Sequence, residues 1–357
     1  MKIIKVSVPG KLHLLGEHAV VYGKPALLAA VNKRCFVELI PRKDKMIEIK
    51  IKDLNLIKKT TEKQIINKTK QADKIWSIFS GTNNFSILKK IIEDPTDYIL
   101  LTIGKTLSIL NKSFSTGFTL IITSEIPQSS GMGSSAAAAV AIAGAITLFL
   151  GEELEKEKIN LIAFLTEHFI HGFPSGGDTS ISCYGGLLWF RRELQDLKII
   201  QPLTLTLSDK ISNNFFIINT GQPKESTGEM VSLVKIFVGK HKNLAQKIFI
   251  DQENLTRNLL QAIEDKDDEG IINCIKNGEK NLEKLGVVSL SVKKIIREIE
   301  KSGGAAKICG GGGKKRATGV ILVYHQNKKT LEKIAQEKKL SLEKISLGEG
   351  GIKIDEK

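Results

Sequence analysis

Hydrophobic residues recur with two different spacings along this chain, and the two spacings predict a mixture of strands and helices. Alternating apolar and polar positions rich in β-branched residues predict strands. Apolar residues three or four positions apart predict helices with one buried face. The predicted strands cover residues 2–8, 31–41, 117–126, 184–190, 214–220 and 319–324, and the predicted helices cover residues 98–110, 136–150, 158–171, 230–237, 245–265 and 292–302.

The order of these elements favours an α+β fold, because strands and helices alternate irregularly rather than as the repeated units of a doubly wound parallel sheet. A chain of 357 residues with 41% hydrophobic content exceeds what one core usually supports. We therefore predict two domains, one over residues 1–190 and one over residues 191–357. The lysine-rich segment 41–74 predicts an exposed excursion with short strands.

Composition excludes several classes of protein. The formal net charge is +14, yet the lysines are mixed with acidic residues and only 6% of residues are aromatic, so we expect no nucleic-acid partner. The excess charge instead favours a small anionic substrate or nucleotide. The longest apolar run, residues 136–150, is too short to cross a bilayer, and no signal-peptide pattern precedes the first strand. We expect a soluble protein with no membrane partner.

The four cysteines, at positions 35, 183, 274 and 309, are far apart in the sequence. Their spacing is typical of neither a metal site nor a disulfide framework, and it favours reduced thiols in a cytoplasmic protein. The sequence does not fix the oligomeric state, and a homodimer is compatible with it.

The most informative segment is 127–139, where small residues and hydroxyls lead directly into an alanine-rich run. It follows a predicted strand, so the unit is strand, glycine-serine loop, helix. Glycine lets the backbone approach a ligand, and the unpaired N–H groups of a first helical turn stabilise an anion. We predict a phosphate here; the alternative is a serine-capped buried helix whose alanines only pack closely. The candidate residues are Pro127, Ser129, Ser130, Gly131, Met132, Gly133, Ser134 and Ser135.

A second candidate segment, residues 8–23, places Lys11, Glu17 and His18 among apolar residues near the N-terminus. Such a density of polar groups indicates a site. Each of these residues alone is more often an ordinary surface or core residue.

Two carboxylates, Glu167 and Asp178, lie on either side of a Pro/Ser/Gly turn that can point both into one cleft. Phosphoryl transfer needs a metal to neutralise charge on the phosphates and a residue to orient or deprotonate the acceptor hydroxyl. Glu167 with Ser135 are candidates to hold Mg²⁺, and Asp178 is a candidate base. Alternatively, Asp178 only caps the next turn. His171, four residues after Glu167, predicts a contact on the helix face rather than a metal ligand.

A third candidate segment is the glycine-rich stretch at residues 305–313, which would let the backbone approach a substrate or phosphates. Alone it is equally typical of a mobile hairpin loop.

Taken together, Pro9-Gly10-Lys11 with residues 16–21, the segment 131–137 and the C-terminal glycine loop resemble the three signature motifs of the GHMP kinase superfamily. The match spans nearly the whole chain. Within the superfamily, residues 16–26 and 171–178 look most like those of the mevalonate kinases.

The resemblance implies an N-terminal domain of the ribosomal protein S5 domain 2-like fold and a ferredoxin-like C-terminal domain, with ATP and substrate meeting between them. It implies transfer of the γ-phosphoryl group of MgATP to the C5 hydroxyl of mevalonate, a step of isoprenoid biosynthesis. On the matching positions, Asp178 would be the catalytic base and Lys11 the cation that stabilises the transferring charge. Glu167 and Ser135 would bind Mg²⁺, and loop 131–135 would surround the phosphates.

The same resemblance implies a set of substrate-binding residues: Lys11, Glu17, His18, Asp178 and Thr227. One departure concerns the third motif, because Cys309 stands where the family usually has a hydroxyl residue, and the segment 314–318 intervenes before the strand. We expect the basic residues of that segment to form a solvated turn.

Two alternative functions stay open from the sequence. One is another GHMP kinase that acts on a phosphorylated mevalonate or a sugar, because the ATP motifs do not define the acceptor. The other is a nucleotide-binding regulator that has lost catalysis, against which the retention of Lys11, Glu167 and Asp178 argues.

Overall fold

The computed structural model describes residues 2–82, 84–128, 130–194, 197–205 and 207–355. In these ranges the chain forms two β-sheets with helices packed against them. None of the helices in the same ranges is long and apolar enough to cross a membrane.

The bounds of the elements follow the chain in order. The strands are β1 (Ile4–Leu15), β2 (Ala26–Pro41), β3 (Ile47–Ile51), β4 (Leu56–Thr60), β5 (Phe118–Ser124), β6 (Leu187–Arg192), β7 (Lys198–Leu203), β8 (Phe215–Asn219), β9 (Ala305–Ile308), β10 (Val320–Tyr324), β11 (Ser341–Lys344) and β12 (Lys353–Ile354). The helices are α1 (Glu62–Thr82), α2 (Phe85–Leu88), α3 (Pro95–Leu110), α4 (Ser134–Phe149), α5 (Lys156–His171), α6 (Gly177–Tyr184), α7 (Asp209–Ser212), α8 (Thr227–Lys240), α9 (Lys242–Glu264), α10 (Asp268–Lys284), α11 (Leu290–Lys301) and α12 (Lys328–Lys338).

The larger sheet has the strand order β12-β1-β2-β5-β3-β4, and β6 joins it by pairing with the first half of β2, followed by β7. Its pairs are antiparallel except for β3 with β5. The smaller sheet has the order β11-β8-β10-β9 and is antiparallel throughout. This arrangement confirms the predicted α+β class.

Strand β1 is irregular beside its partner β2. The register shifts between Pro9 and Lys11 and again between His13 and Leu15. Irregularities of this kind bend a strand and re-aim its side chains, and they occur often next to active sites. Lys11 and His13 lie between the two shifts.

Helix α4 is the central helix of the larger unit. It packs on β1 and β2, with α3, α5 and α6 beside it. Its residues are apolar on all sides, and Ala136, Ala137, Ala139 and Ala141 have no exposed surface. A helix that is hydrophobic all round is a buried helix, and alanine lets the neighbouring backbones come close. The predicted helix at 136–150 is thus confirmed.

The smaller sheet is buried on both faces. In β8, Phe215 and Ile217 face a core that continues into the larger sheet. Phe216 and Ile218 face a second cluster that contains residues of α8, α11 and α12. This alternation has the period of two that a strand imposes. The face with Phe215 and Ile217 packs the smaller sheet against the larger one.

Two parts of the sequence prediction differ from the structure. The segment 41–74 does contain two short strands, β3 and β4. It also contains the first half of α1, a helix that the sequence analysis did not predict. The buried stripe of α1 includes Thr69 as well as Ile65, Ala72 and Phe79. This polar residue interrupts the apolar spacing, and most of the other positions in the first three turns are polar, which hid the helix. The division of the chain at residue 190 stays a prediction, and the larger sheet extends past it through β7 and β12.

We expect Leu322→Ala to lower the free energy of unfolding by about 3 kcal/mol, because Leu322 is fully buried in the middle of β10 and its loss leaves a cavity. Urea denaturation measures the change. The control is Leu290→Ala, since Leu290 is 77% exposed and should change stability by less than about 0.5 kcal/mol. Equal losses in the two variants would contradict this packing.

Candidate active site

The start of α4 has the backbone geometry that favours an anion. Gly131 and Gly133 have φ values of +83° and +70° in the left-handed region, which glycine adopts without strain. The first bond of the helix runs from the Ala137 N–H to the Gly133 carbonyl, at 3.0 Å. The N–H groups of the preceding turn have no partner within the helix, and together with the helix dipole they favour a phosphate.

The loop before α4 is tied to the smaller sheet. The Ser130 carbonyl accepts a hydrogen bond from the Val320 N–H at 3.0 Å, and the Ser130 hydroxyl donates to the Pro127 carbonyl at 2.6 Å. Met132 is buried, and its carbonyl accepts from the Lys11 N–H at 2.9 Å. Ser129, which we also predicted for this site, lies outside the described residues.

The third glycine-rich segment closes over the same loop. Gly131 lies so close to the Cys309 carbonyl that a side chain at Gly131 would collide with it. Gly311 lies against Thr227, the first residue of α8, and its carbonyl accepts a hydrogen bond from Nε2 of His18 at 3.1 Å. All three sequence motifs therefore meet in one place.

Lys11 and Asp178 form an ion pair beside this loop, with 3.1 Å between Nζ and Oδ1. The side chain of Lys11 is only 3% exposed, whereas that of Asp178 is 38% exposed and open to a ligand. The aliphatic part of Lys11 packs against Gly133, where any side chain would displace it. Asp178 lies in the first turn of α6, a helix that the sequence analysis did not predict, and the positive end of a helix stabilises a carboxylate.

Ser135 and Glu167 form a second pair, with 3.3 Å between Oγ and Oε2. The Tyr98 hydroxyl donates to Oε1 of Glu167. Nε2 of His171 lies 3.4 Å from Oε2 of Glu167, so the predicted contact on the helix face is present. Burial lowers the pKa of His171, but the carboxylates of Glu167 and Asp178 together raise it, and the net pKa lies above the ordinary value.

Glu17 and His18 connect the first motif to the third. Glu17 is buried and forms an ion pair with Lys307 of β9. Burial lowers the pKa of Lys307, but the nearby acidic groups, the Glu17 carboxylate first among them, together raise it above its ordinary value, so Lys307 stays charged. Burial also lowers the pKa of His18 to about 4. The imidazole of His18 is therefore neutral at pH 7, and it donates through Nε2 because the Gly311 carbonyl can only accept.

Comparison with known proteins shows which family this chain resembles. Residues 101–186 match the family model described as the GHMP kinases N terminal domain. The mevalonate kinase of Pyrococcus furiosus is 29% identical over 88% of this chain and 87% of its own length, and that of Schizosaccharomyces pombe is 28% identical over 99% and 92%. These matches confirm the resemblance of this chain to the mevalonate kinases of the GHMP superfamily. A crystal structure of the Methanococcus jannaschii mevalonate kinase superposes on the kinase with a TM-score of 0.78 at 24% identity, over 98% of both chains.

The likeness to these kinases implies that the protein uses ATP, and it agrees with the resemblance inferred from the motifs. The third motif lies against the loop before α4 although Cys309 departs from the usual family pattern. The thiol of Cys309 is buried, and burial raises its pKa to about 11. The basic residues that follow, Lys314, Lys315 and Arg316, are exposed on a turn.

Several residues of this site were not predicted from the sequence of the kinase. They are His13, Tyr98, Glu279 and Lys307. Lys307 is the lysine of the third motif, and its isolation in an apolar strand was the available signal. Tyr98 and Glu279 lie on helices far along the chain from the residues that they contact, so spacing gave no signal for either.

Glu279 is a buried acid behind the third motif. Oε2 of Glu279 accepts a hydrogen bond from the Ile308 N–H at 3.0 Å, whereas Oε1 has no partner among the described residues. Burial raises its pKa to about 8, and this hydrogen bond offsets only part of the effect. At neutral pH the side chain of Glu279 therefore carries a proton.

We expect Gly131→Ala to raise the KM for ATP about tenfold, because alanine at a positive φ is strained and its methyl group would meet the Cys309 carbonyl. Steady-state kinetics at saturating acceptor measures this change. The control is Gly239→Ala in α8, where the space around the glycine is open. An unchanged KM in Gly131→Ala would contradict the proposed contact between the two loops.

We expect Glu279→Gln to flatten the pH dependence of stability. The unfolded chain releases this proton near pH 4.5 and the folded chain near pH 8, so the wild type loses stability as the pH rises through that range. Relative to pH 5, the variant should gain about 3 kcal/mol over the wild type by pH 8.5. Urea denaturation at several pH values measures it, with Glu269→Gln on the exposed side of α10 as control. Parallel curves for wild type and Glu279→Gln would refute this assignment.

Proposed function

We propose that this kinase transfers the γ-phosphoryl group of ATP to the C5 hydroxyl of (R)-mevalonate, giving 5-phosphomevalonate and ADP. The observation that carries the proposal is the Lys11–Asp178 pair at 3.1 Å beside the anion-binding turn of α4. The choice of mevalonate as acceptor is supported by two mevalonate kinases, one from an archaeon and one from a yeast. This chain matches each of them over nearly its whole length.

Asp178 acts as the base in the proposed reaction. Its carboxylate is the exposed member of the pair and takes the proton of the C5 hydroxyl. The oxygen of that hydroxyl forms a bond to the γ-phosphorus, and the bond from the γ-phosphorus to the bridging oxygen of ADP breaks. The Lys11 ammonium group stabilises the negative charge on the moving phosphoryl group, and the N–H groups at the start of α4 hold the phosphates in line.

The residues present fit a magnesium ion. The Ser135 hydroxyl and the Glu167 carboxylate supply oxygen donors of the kind that Mg²⁺ prefers. In the described ranges no group of three or more His, Cys, Asp and Glu residues could hold a metal alone, which agrees with an ion that takes most of its ligands from phosphates and water. When bound, Mg²⁺ neutralises charge on the phosphates. Tyr98 and His171 keep the Glu167 carboxylate oriented toward Ser135.

The remaining predictions for the site stay proposals. We propose that Pro127, Ser130, Gly131, Met132, Gly133, Ser134 and Ser135 line the nucleotide site. His18 and Thr227 contact Gly311 of the third motif, and we propose that they border the substrate. Glu17 is buried, and its proposed contribution to substrate binding passes through Lys307 and the orientation of β1. The homodimer and the cytoplasmic location also stay predictions.

An acceptor panel tests the reaction. ADP release is measured with ATP and Mg²⁺ in the presence of mevalonate, phosphomevalonate or galactose, and phosphorus NMR locates the phosphate on the product. We expect kcat/KM for mevalonate to exceed that of the other acceptors by about 100-fold or more, because buried polar groups of a site reject an acceptor that leaves them unpaired. Preference for either of the others would assign a different acceptor to the same site. No turnover with any acceptor would indicate a nucleotide-binding regulator.

We expect Asp178→Asn and Lys11→Met to lower kcat by about 100-fold or more while the KM for ATP changes little, because both groups act on the reacting atoms rather than on the nucleotide. Both variants are near-isosteric, and circular dichroism verifies their folding. Asp209→Asn is the control, since Asp209 is exposed in the first turn of α7. Near-normal turnover in either site variant would overturn the assignment.

A further inference from the structure

The Lys11 ammonium group has a second partner besides Asp178. Nζ of Lys11 lies 3.0 Å from Nδ1 of His13. We propose that His13 is a positioning residue that holds the Lys11 ammonium group against Asp178 during phosphoryl transfer. This inference rests on the proposed function, in which Lys11 stabilises the charge on the moving phosphoryl group.

The backbone of β1 brings His13 to this position. Lys11 and His13 are two residues apart on one strand, so their side chains lie on the same face. The register shifts on both sides of them set the direction of that face. The stem of Lys11 is already confined by Gly133, and its ammonium group remains the part that needs fixing. The two hydrogen-bond acceptors, Asp178 and His13, fix it.

The charge state of His13 suits this role. Burial lowers the pKa of His13 well below its ordinary value, and the ammonium groups of Lys11 and Lys307 lower it further, with His18 adding to the effect. A lysine ammonium group has donors only, so Nδ1 of His13 accepts and the ring proton is on Nε2. A neutral acceptor satisfies an N–H of Lys11 without neutralising its positive charge. A carboxylate at this position would compete with Asp178 and with the phosphate for the same cation.

The main chain of His13 is fixed from the opposite side. The His13 carbonyl accepts a hydrogen bond from Nζ of Lys307 at 3.1 Å, and Lys307 is itself paired with Glu17. His13 therefore lies between the buried ion pair and the cation at the cleft. Its side chain orients one lysine, and its backbone is held by another.

The test separates the loss of the acceptor from the loss of the ring. His13→Leu keeps a similar volume and removes the acceptor, whereas His13→Asn keeps an acceptor oxygen where Nδ1 stands. We expect His13→Leu to lower kcat about 10-fold with the KM for ATP within about twofold, and His13→Asn to recover most of the loss, because a hydrogen bond to a charged group is at stake. His325→Leu is the matched control, since His325 is buried in the smaller sheet and bonds to Ser302 and Asn327. Equal kcat values in His13→Leu and wild type would overturn the proposal, as would equal losses in His13→Leu and His13→Asn.

A double-mutant cycle identifies Lys11 as the group through which His13 acts. In a Lys11→Met background, His13→Leu should change turnover by less than about twofold, because the partner is already absent. A full additional 10-fold loss would show that His13 acts independently of Lys11, and would refute the proposed role.

Nitrogen NMR of the six histidines provides a readout that does not depend on activity, with the His13 signals assigned by their absence in His13→Leu. We expect an unprotonated Nδ1 whose shift moves in Lys11→Met and stays unchanged in Asp209→Asn. A protonated Nδ1, or no response to Lys11→Met, would overturn the proposal even if mevalonate turnover is normal. If the shift responds but wild type phosphorylates no mevalonate, the contact stands and only the proposed function fails.

Discussion

The ion pair between Glu17 and Lys307 is the contact on which the arrangement of the site depends. Glu17 follows β1 of the larger sheet, Lys307 lies in β9 of the smaller sheet, and both are buried. A buried pair gives little net stability, but loss of one partner leaves an uncompensated charge and is strongly destabilising. The pair therefore fixes how the two sheets meet. Because Lys307 directly precedes the glycine-rich turn, it also fixes where that turn lies above the start of α4.

The same arrangement explains how separate motifs produce one electrostatic environment. Two lysines approach the cleft from different elements, Lys11 from β1 and Lys307 from β9, and each is paired with a carboxylate. In the pair of Lys11 with Asp178, the Asp178 carboxylate is exposed and a substrate can reach it. The buried pair has no exposed member. His13 lies between the two pairs, because its side chain contacts Lys11 and its carbonyl accepts a hydrogen bond from Lys307.

Part of this structure could be predicted from the sequence. The strand, loop and helix around residues 117–150 were predictable because glycine, serine and alanine each have a local physical effect there. The proximity of Lys11 to Asp178 followed only from the family resemblance, since no local pattern joins positions so far apart. The pairing of Ser135 with Glu167 came from the chemical needs of phosphoryl transfer rather than from any local pattern. Helix α1 was missed because Thr69 interrupts its apolar stripe, and α6 because it begins with glycines that are typical of a turn. Glu279 and Tyr98 were missed because their significance comes from burial, which depends on the tertiary fold.

The alanine run of α4 has a consequence for how such sequences are interpreted. Its small side chains are required by the close approach of β1 and β2, and most of them are buried against those strands and the neighbouring helices. A descendant of this chain that had lost nucleotide binding would still need them, whereas it could replace the glycines ahead of the helix. The alanine run, which is the most visible part of the signature in a sequence, therefore indicates the fold. The glycines ahead of it indicate whether the chain still binds a nucleotide.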